Sequence, residues 1–280
     1  MLRQRVITAV VLLALLLPAL FAASSLPFAL FTLLLISAAG WEWARLNGAQ
    51  APLPALATGA MVALMCGASL LQLPQMGYAG GLWWAGTAVW VVGGAWVLRG
   101  GPAGWPTLPK WLRWALGPLL LWLAWLAMAQ ARTIGINFLL SAMCVVWVAD
   151  ISAYFCGRAF GKRKLALAIS PGKSWEGVWG GMAGVVLLSV AWTWLDRSGA
   201  TVFAGSLYAR LWAQHGVLVM LLGVVFLAAM SVVGDLVESL VKRSAGAKDS
   251  SGLLPGHGGV LDRVDALLPA VPLAMMLVSL

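Results

Sequence analysis

Charged side chains are concentrated in one stretch near the end of this chain, residues 235–265. The stretch carries five of the nine acidic residues, four of the eighteen basic residues and one of the two histidines, although 62% of the chain is hydrophobic. Charges are costly beside a bilayer, so a dense cluster between apolar segments indicates a functional site rather than a solvated loop. The cluster consists of Asp235, Glu238, Lys242, Arg243, Lys248, Asp249, His257, Asp262, Arg263 and Asp265.

The spacing of the carboxylates predicts a cation site between two helix ends. Asp235, Glu238 and Ser239 share one face at the end of an apolar helix. Asp262 and Asp265 repeat this arrangement at the start of the next helix. Such oxygen ligands suit Mg²⁺, which keeps waters and substrate phosphates as its other ligands. Together with the intervening cations and glycines, which suit phosphate oxygens, they predict phosphoryl or nucleotidyl transfer.

The composition predicts a polytopic membrane protein. The chain has 280 residues, seventeen tryptophans and a mean hydropathy of +0.92. This profile excludes a soluble globular domain. The net charge of +9 is spread over short loops instead of forming a basic stripe, so no nucleic-acid partner is expected. The three cysteines lack metal-ligand spacing and indicate small core residues.

Apolar runs predict an all-α integral membrane protein with about nine transmembrane helices. The runs, each near the length of about 20 residues that a span needs, are 6–23, 27–44, 53–72, 78–98, 111–130, 134–156, 176–195, 216–238 and 262–280. The first run could also be a cleaved signal peptide, but a second run follows at once, which favours an uncleaved helix. We expect N-terminal scaffold helices at 1–133 and a catalytic transmembrane domain at 134–280, with site loops 157–175 and 239–262.

The distribution of basic residues predicts the orientation in the membrane. With a cytoplasmic N-terminus, fifteen of the eighteen lysines and arginines fall on the inside, as the positive-inside rule requires. Both site loops then face the cytoplasm, where nucleoside triphosphates are found, and the C-terminus lies on the opposite side. The expected location is a bacterial inner (plasma) membrane.

A second polar island begins with Asp150, close to the end of an apolar run. An ionisable residue at such a position is usually functional or paired. The Ser-Pro pair at 170–171 predicts an extended turn before a helix that starts near Ser174. Lys173 and Ser174, at that helix N-terminus, would offer a phosphate both donors and a favourable dipole.

The first half of the chain shows little chemistry. Glu42 and Arg45, three residues apart beside two tryptophans, indicate an ion pair at a helix end, with a substrate role as the less favoured alternative. The sequence leaves open whether this half does more than support the second half.

Both polar islands resemble the phosphatidate cytidylyltransferase (CDP-diacylglycerol synthase) family. From Ser239 to Asp265 the chain reads S-x-x-K-R-x4-K-D-x-S-x2-L-P-x-H-G-G-V-x-D-R-V-D. The island around Asp150 contains D-x-x-A-Y-F-x-G-R, G-K-x-K-L, I-S-P and K-S-W-E-G. One position departs from the pattern: Gly172 stands where the family commonly has a lysine or another polar residue.

The resemblance implies transfer of CMP from CTP to phosphatidic acid, giving CDP-diacylglycerol and pyrophosphate with Mg²⁺; the number of cations stays open. The implied partners are CTP, phosphatidic acid and membrane lipids. The catalytic residues would be Asp235, Lys242, Asp262 and Arg263. The metal ligands would be Asp235, Asp262 and Asp265, with Asp150 and Asp249 as second choices. Binding of the substrate phosphates would fall to Lys173, Ser174, Ser239, Lys242, Arg243, Lys248, Asp249, His257, Gly258, Gly259 and Arg263.

Other functions stay open at this point. A CTP-dependent lipid kinase, such as a polyprenol kinase, would release CDP rather than pyrophosphate, and a related cytidylyltransferase could use an ether or isoprenoid lipid phosphate. A non-enzymatic transporter of anionic lipids is a third alternative, but its site would usually lie near the membrane midplane and not at one face. The oligomeric state is also open, with a homodimer as one option.

Overall fold

The computed structural model describes residues 2–72, 80–199 and 205–280, and most of these residues are helical. A π-helical turn (Val89–Gly93) and a 3-10 turn (Trp105–Thr107) lie between α-helices. In chain order the α-helices are α1 (Leu2–Phe21), α2 (Leu26–Leu46), α3 (Pro52–Leu70), α4 (Gly80–Ala88), α5 (Gly94–Gly104), α6 (Lys110–Ile134), α7 (Ile136–Phe160), α8 (Trp175–Arg197), α9 (Leu207–Ser244), α10 (Leu261–Val264) and α11 (Leu267–Leu277).

Eight segments in the described ranges are long and apolar enough to cross a membrane, which confirms the polytopic helical fold. They correspond to the first eight predicted spans, although residues 78 and 79 of the fourth lie outside the described ranges. The last predicted span, 262–280, differs. It contains the short α10 and the 11-residue α11, whose residues are all buried. A helix of that length rises about 16 Å, too little to cross a hydrocarbon core of about 30 Å by itself.

A β-hairpin is the second difference from the expected all-α fold. The site loop 157–175 forms two antiparallel strands, β1 (Lys164–Ala166) and β2 (Ser170–Ser174). The extended conformation predicted at 170–171 is confirmed because both residues lie in β2. The helix predicted near Ser174 is also confirmed: Ser174 is the N-cap of α8, and its side chain accepts a hydrogen bond from the Gly177 N–H at 3.2 Å.

The long helix α9 carries much of the predicted site. It has 38 residues and breaks at Gly216, where a φ of 82° favours glycine. The helix α9 packs against α5, α7, α8 and α11. Its last three turns bring Asp235, Glu238 and Lys242 next to the segment that contains α10.

Within the N-terminal half, α2 packs against α3 and α6. The Trp43 indole donates to the Arg113 carbonyl at 2.8 Å, and the Trp105 indole donates to the Asn47 amide oxygen at 2.9 Å. The expected ion pair between Glu42 and Arg45 is wrong: the ion pairs of the described residues do not include it. The Arg45 guanidinium instead lies over the Trp41 ring, 4.7 Å from its centre.

Gly234 marks the closest approach of α9 to the end of the chain. A Cβ at this position would lie 2.5 Å from the Asp265 carbonyl oxygen and 2.7 Å from Pro269 Cδ. We predict that Gly234→Ala lowers the free energy of unfolding by about 1–3 kcal/mol, because overpacking forces the backbone to shift. Thermal unfolding in detergent measures this. The control is Gly81→Ala, since nothing lies within 4 Å of a Cβ there; equal stability of the two variants would contradict the packing.

Candidate active site

A cavity of about 470 Å³ opens between α7, β2, α8 and α9. Small-molecule sites commonly measure about 300–1,000 Å³. The cavity brings the two polar islands together, although they lie far apart in the sequence. Its polar and charged lining consists of Asp150, Tyr154, Arg158, Ser170, Lys173, Ser174 and Asp235.

An ion pair between Lys173 and Asp235 joins the hairpin to α9 at this cavity. Lys173 Nζ lies 2.6 Å from Asp235 Oδ2, and each side chain is 26% exposed. The Ser239 hydroxyl donates to the other carboxylate oxygen of Asp235 at 3.3 Å. Because the pair is partly open to solvent, an anionic ligand entering the cavity can reach the Lys173 ammonium.

A second ion-pair network lies deeper, around Lys242. Its Nζ is 2.6 Å from both Asp262 Oδ1 and Glu238 Oε2, and the three side chains are at most 11% exposed. The Glu238 carboxyl accepts no hydrogen bond of regular geometry from the described residues. It interacts instead with the positive charge of Lys242. Burial of such charges is costly unless hydrogen bonds compensate. At Asp262 they do: the Ser250 N–H, the Ser250 hydroxyl and the Gly259 N–H donate to it at 2.9, 2.9 and 2.7 Å.

The surroundings give the two carboxyls near α10 opposite electrostatic properties. Burial alone raises the pKa of Asp262, but the hydrogen bonds from Lys242, Gly259 and Ser250 outweigh burial and lower that pKa to about 2. Burial, followed by the charge of Asp235, raises the pKa of Asp265 above its usual range. Negative charge around Asp265 is therefore less well compensated than negative charge around Asp262.

The fit of a divalent metal follows from which carboxylate oxygens remain accessible. In residues 2–72, 80–199 and 205–280, no three acidic, histidine or cysteine side chains converge as a ligand set. Both oxygens of Asp262 are engaged by Lys242 and by loop donors. Asp150 and Asp235 line the cavity and offer the hard oxygen ligands that Mg²⁺ prefers. The donor set therefore fits Mg²⁺ better at the cavity than at Asp262.

Several residues predicted to bind phosphate make contacts within the protein and do not line the cavity. The Arg243 guanidinium donates to the Ile169 carbonyl at 3.3 Å, which ties the hairpin turn to α9. The Arg263 guanidinium donates to the His257 carbonyl at 3.0 Å. Lys248 and Asp249 are exposed on the loop that follows α9.

The loop of residues 250–260 folds back on itself before α10. The Leu254 N–H donates to the Gly258 carbonyl and the His257 N–H donates to the Leu254 carbonyl, both at 2.8 Å. Gly258 has a φ of 84°, which favours glycine. The two glycines predicted to let phosphate approach the backbone thus have structural roles. Gly258 makes the turn, and Gly259 gives its N–H to Asp262.

Sequence reasoning missed the contributions of two glutamates. Glu42, on α2, accepts hydrogen bonds from the backbone of Val260 and Leu261. Glu176, at the start of α8, accepts from the backbone N–H of Lys162 at 3.1 Å and of Arg163 at 3.2 Å and thereby holds the hairpin. An acidic residue within the apolar α2 was a signal in the sequence for the first of these contributions.

The chain is similar to known proteins over nearly all of its length. The sequence profile described as the cytidylyltransferase family matches residues 3–280. The phosphatidate cytidylyltransferase of Pseudomonas aeruginosa is 42% identical over 283 residues, which cover 97% of this chain and 95% of that protein. The protein of the same name from Haemophilus influenzae is 48% identical over 138 residues, 49% of this chain and 44% of its own. That of Bacillus subtilis is 40% identical over 146 residues, 52% of this chain and 49% of its own.

Asp262 should contribute strongly to stability because it accepts from Lys242 and from the loop backbone. We predict that Asp262→Ala lowers the free energy of unfolding by about 3–5 kcal/mol, since it removes one partner of a buried ion pair. The matched control is Asp249→Ala, an exposed carboxylate near the start of the same loop, with an expected change within about 0.5 kcal/mol. Denaturant unfolding in detergent compares the two. Similar losses would contradict the buried network.

Proposed function

The chain belongs to the cytidylyltransferase family, and on that premise we propose that it transfers CMP from CTP to phosphatidic acid. It is a membrane-embedded nucleotidyltransferase of phospholipid biosynthesis, with CDP-diacylglycerol and pyrophosphate as products. One observation carries the proposal: Lys173 and Asp235, 62 residues apart, form an ion pair at a single charged cavity. Lys173 belongs to the polar island that begins with Asp150, and Asp235 belongs to the polar stretch 235–265.

The proposed reaction is a displacement at the α-phosphorus of CTP. An oxygen of the phosphatidate phosphate attacks, a bond forms between that oxygen and the α-phosphorus, and the bond to the oxygen bridging towards the β-phosphate breaks. Pyrophosphate leaves with the electron pair of the broken bond. A phosphate monoester is already ionised near neutral pH, so the protein does not need a strong general base. Its main task is to stabilise the charge of two phosphate-bearing substrates and of the leaving group.

Side chains of the cavity have the charges for this task. Lys173 and Arg158 line it and would contact phosphate oxygens, with the hydroxyl of Ser174 as a further donor. An incoming phosphate would compete with Asp235 for the Lys173 ammonium. The phosphate contacts predicted for the residues outside the cavity lining stay predictions; these residues are Ser239, Lys242, Arg243, Lys248, Asp249, His257, Gly258, Gly259 and Arg263.

Magnesium fits the same cavity. When bound, Mg²⁺ would neutralise charge on the phosphates and on the leaving group. Asp235 would hold it, together with Asp150 from the same cavity lining. Asp262 and Asp265, the other predicted ligands, do not line the cavity. Asp262 would have to give up its ion pair with Lys242 before it could bind a metal.

Exposed apolar side chains beside the cavity support access of a lipid from the bilayer. Ile151 and Phe155 on α7, and Trp175 and Trp179 on α8, are exposed next to residues that line the cavity. Phosphatidic acid would approach along this apolar surface, with its acyl chains in the membrane and its headgroup in the cavity. A bacterial inner membrane is the proposed location.

The proposed orientation places the N-terminus and the site on the cytoplasmic side. The Arg5 side chain donates to the Gly256 carbonyl at 2.9 Å, so the N-terminal end of α1 lies at the same face as the site loop. This contact supports a shared side for the two. The placement of the C-terminus on the opposite side follows from the nine predicted crossings. The ninth, 262–280, is not among the eight spanning segments of the described residues, so this placement stays a prediction.

A direct assay uses the purified protein in detergent with Mg²⁺, phosphatidic acid and CTP labelled at its α-phosphate. We predict that label enters the lipid phase while pyrophosphate appears. Lys173→Met should lower kcat/KM by about 10²–10³-fold, because it removes a charge aimed at the phosphates. The matched control is Lys110→Met, at the start of α6 and outside the cavity.

Two results would contradict this proposal. Labelled CDP that stays in the aqueous phase would indicate a lipid kinase. Full activity of Lys173→Met would place phosphate binding elsewhere.

A further inference from the structure

Glu42 is a charged side chain of the N-terminal half that lies in the interior. It is 0% exposed. The ion pairs within the described residues do not include it, so no cation compensates its burial. A buried carboxylate without a cation has to be stabilised by hydrogen bonds.

Its hydrogen bonds come from the loop of the catalytic half. The Val260 N–H donates to Oε1 at 2.9 Å and the Leu261 N–H donates to Oε2 at 2.7 Å. The hydroxyls of Ser251 and Ser250 lie 2.5 and 3.2 Å from the same two oxygens. Both oxygens therefore act as acceptors, which is the role of an ionised carboxylate. All four donors lie more than 200 residues along the chain from Glu42.

The same short segment holds Asp262. The Gly259 N–H donates to Asp262, whereas the next two N–H groups along the chain donate to Glu42. The Ser250 hydroxyl lies between the carboxylates, 2.9 Å from Asp262 and 3.2 Å from Glu42. Its single hydrogen can serve only one of them at a time. The position of Asp262 is thus coupled to the position of Glu42 through one turn of backbone.

Space around the segment is limited as well. A Cβ on Gly259 would overlap both the Glu42 carboxylate and the Ser250 hydroxyl. Glycine at this position lets the loop backbone reach the carboxylate. The loop backbone at Gly259 therefore packs tightly between the Glu42 carboxylate of α2 and the Ser250 hydroxyl of the loop itself.

We propose that Glu42 is a positioning residue for CMP transfer: it fixes the loop that sets the orientation of Asp262 and, through it, of Lys242. This inference rests on the proposed function, because it concerns the activity that the loop serves. It also assigns the N-terminal half a task beyond support, since α2 supplies the acceptor for the loop backbone.

The test compares Glu42→Gln with wild type in two measurements. The substitution keeps the shape but replaces one acceptor oxygen by an NH₂ group, which faces N–H donors of the loop. We expect hydrogen exchange in the peptide 250–261 to be at least about tenfold faster. We expect kcat to fall by about 10–100-fold, because small misplacements of reacting groups are costly, with a smaller change in KM for CTP. Glu42→Asp keeps the charge and should recover part of the loss.

The matched control is Asn47→Ala, a buried polar residue that caps the C-terminal end of the same helix and contacts Trp105 and not the loop. It should leave exchange in 250–261 and kcat near wild type even if it lowers the melting temperature. Unchanged exchange in Glu42→Gln, or a kcat within about twofold of wild type, would overturn the proposal. If wild type forms no CDP-diacylglycerol, the proposed function fails instead, and the exchange data still decide whether Glu42 holds the loop.

Discussion

Buried carboxylates at the edge of a membrane must find donors or cations, and the site depends on how this requirement is met. Removing an ion from water costs several kcal/mol even after relaxation. Asp262 meets this cost with the Lys242 ammonium at 2.6 Å and with backbone N–H groups of its own loop. Glu42 meets it with backbone N–H groups and hydroxyls alone. In the observed conformation of the loop both carboxylates are satisfied, and the same loop residues hold Asp262 beside Lys242.

The helix α9 connects this buried network to the open cavity. Asp235 and Lys242 lie two turns apart on it, so both face the same side of the helix. Asp235 pairs with Lys173 of the hairpin, whereas Lys242 pairs with Asp262 of the loop. A single rigid element thus fixes the relation between the cavity, where substrate phosphates would bind, and the loop behind it.

The sequence predicts the features that local patterns determine. Apolar runs give the eight described spans, and the charge clusters identify both polar islands. The hairpin at 164–174 was missed because its strands have three and five residues, which are too short for a periodic signal. The partners of Glu42 were missed because they lie more than 200 residues away in the sequence. The direction of Asp262, towards the interior instead of the cavity, depends on a loop conformation that spacing alone does not reveal.

Binding of CTP phosphates in the cavity beside Lys173 is the central claim, and a cysteine at Gly172 tests it directly. Gly172 lines the cavity, and nothing lies within 4 Å of a Cβ there. The measurement is the rate of maleimide labelling of Gly172→Cys with and without CTP and Mg²⁺. The control is Gly100→Cys, at the separate cavity beside Arg99, where a Cβ also has open space. We predict that CTP slows labelling at 172 and not at 100; equal rates at 172 with and without CTP would contradict the claim.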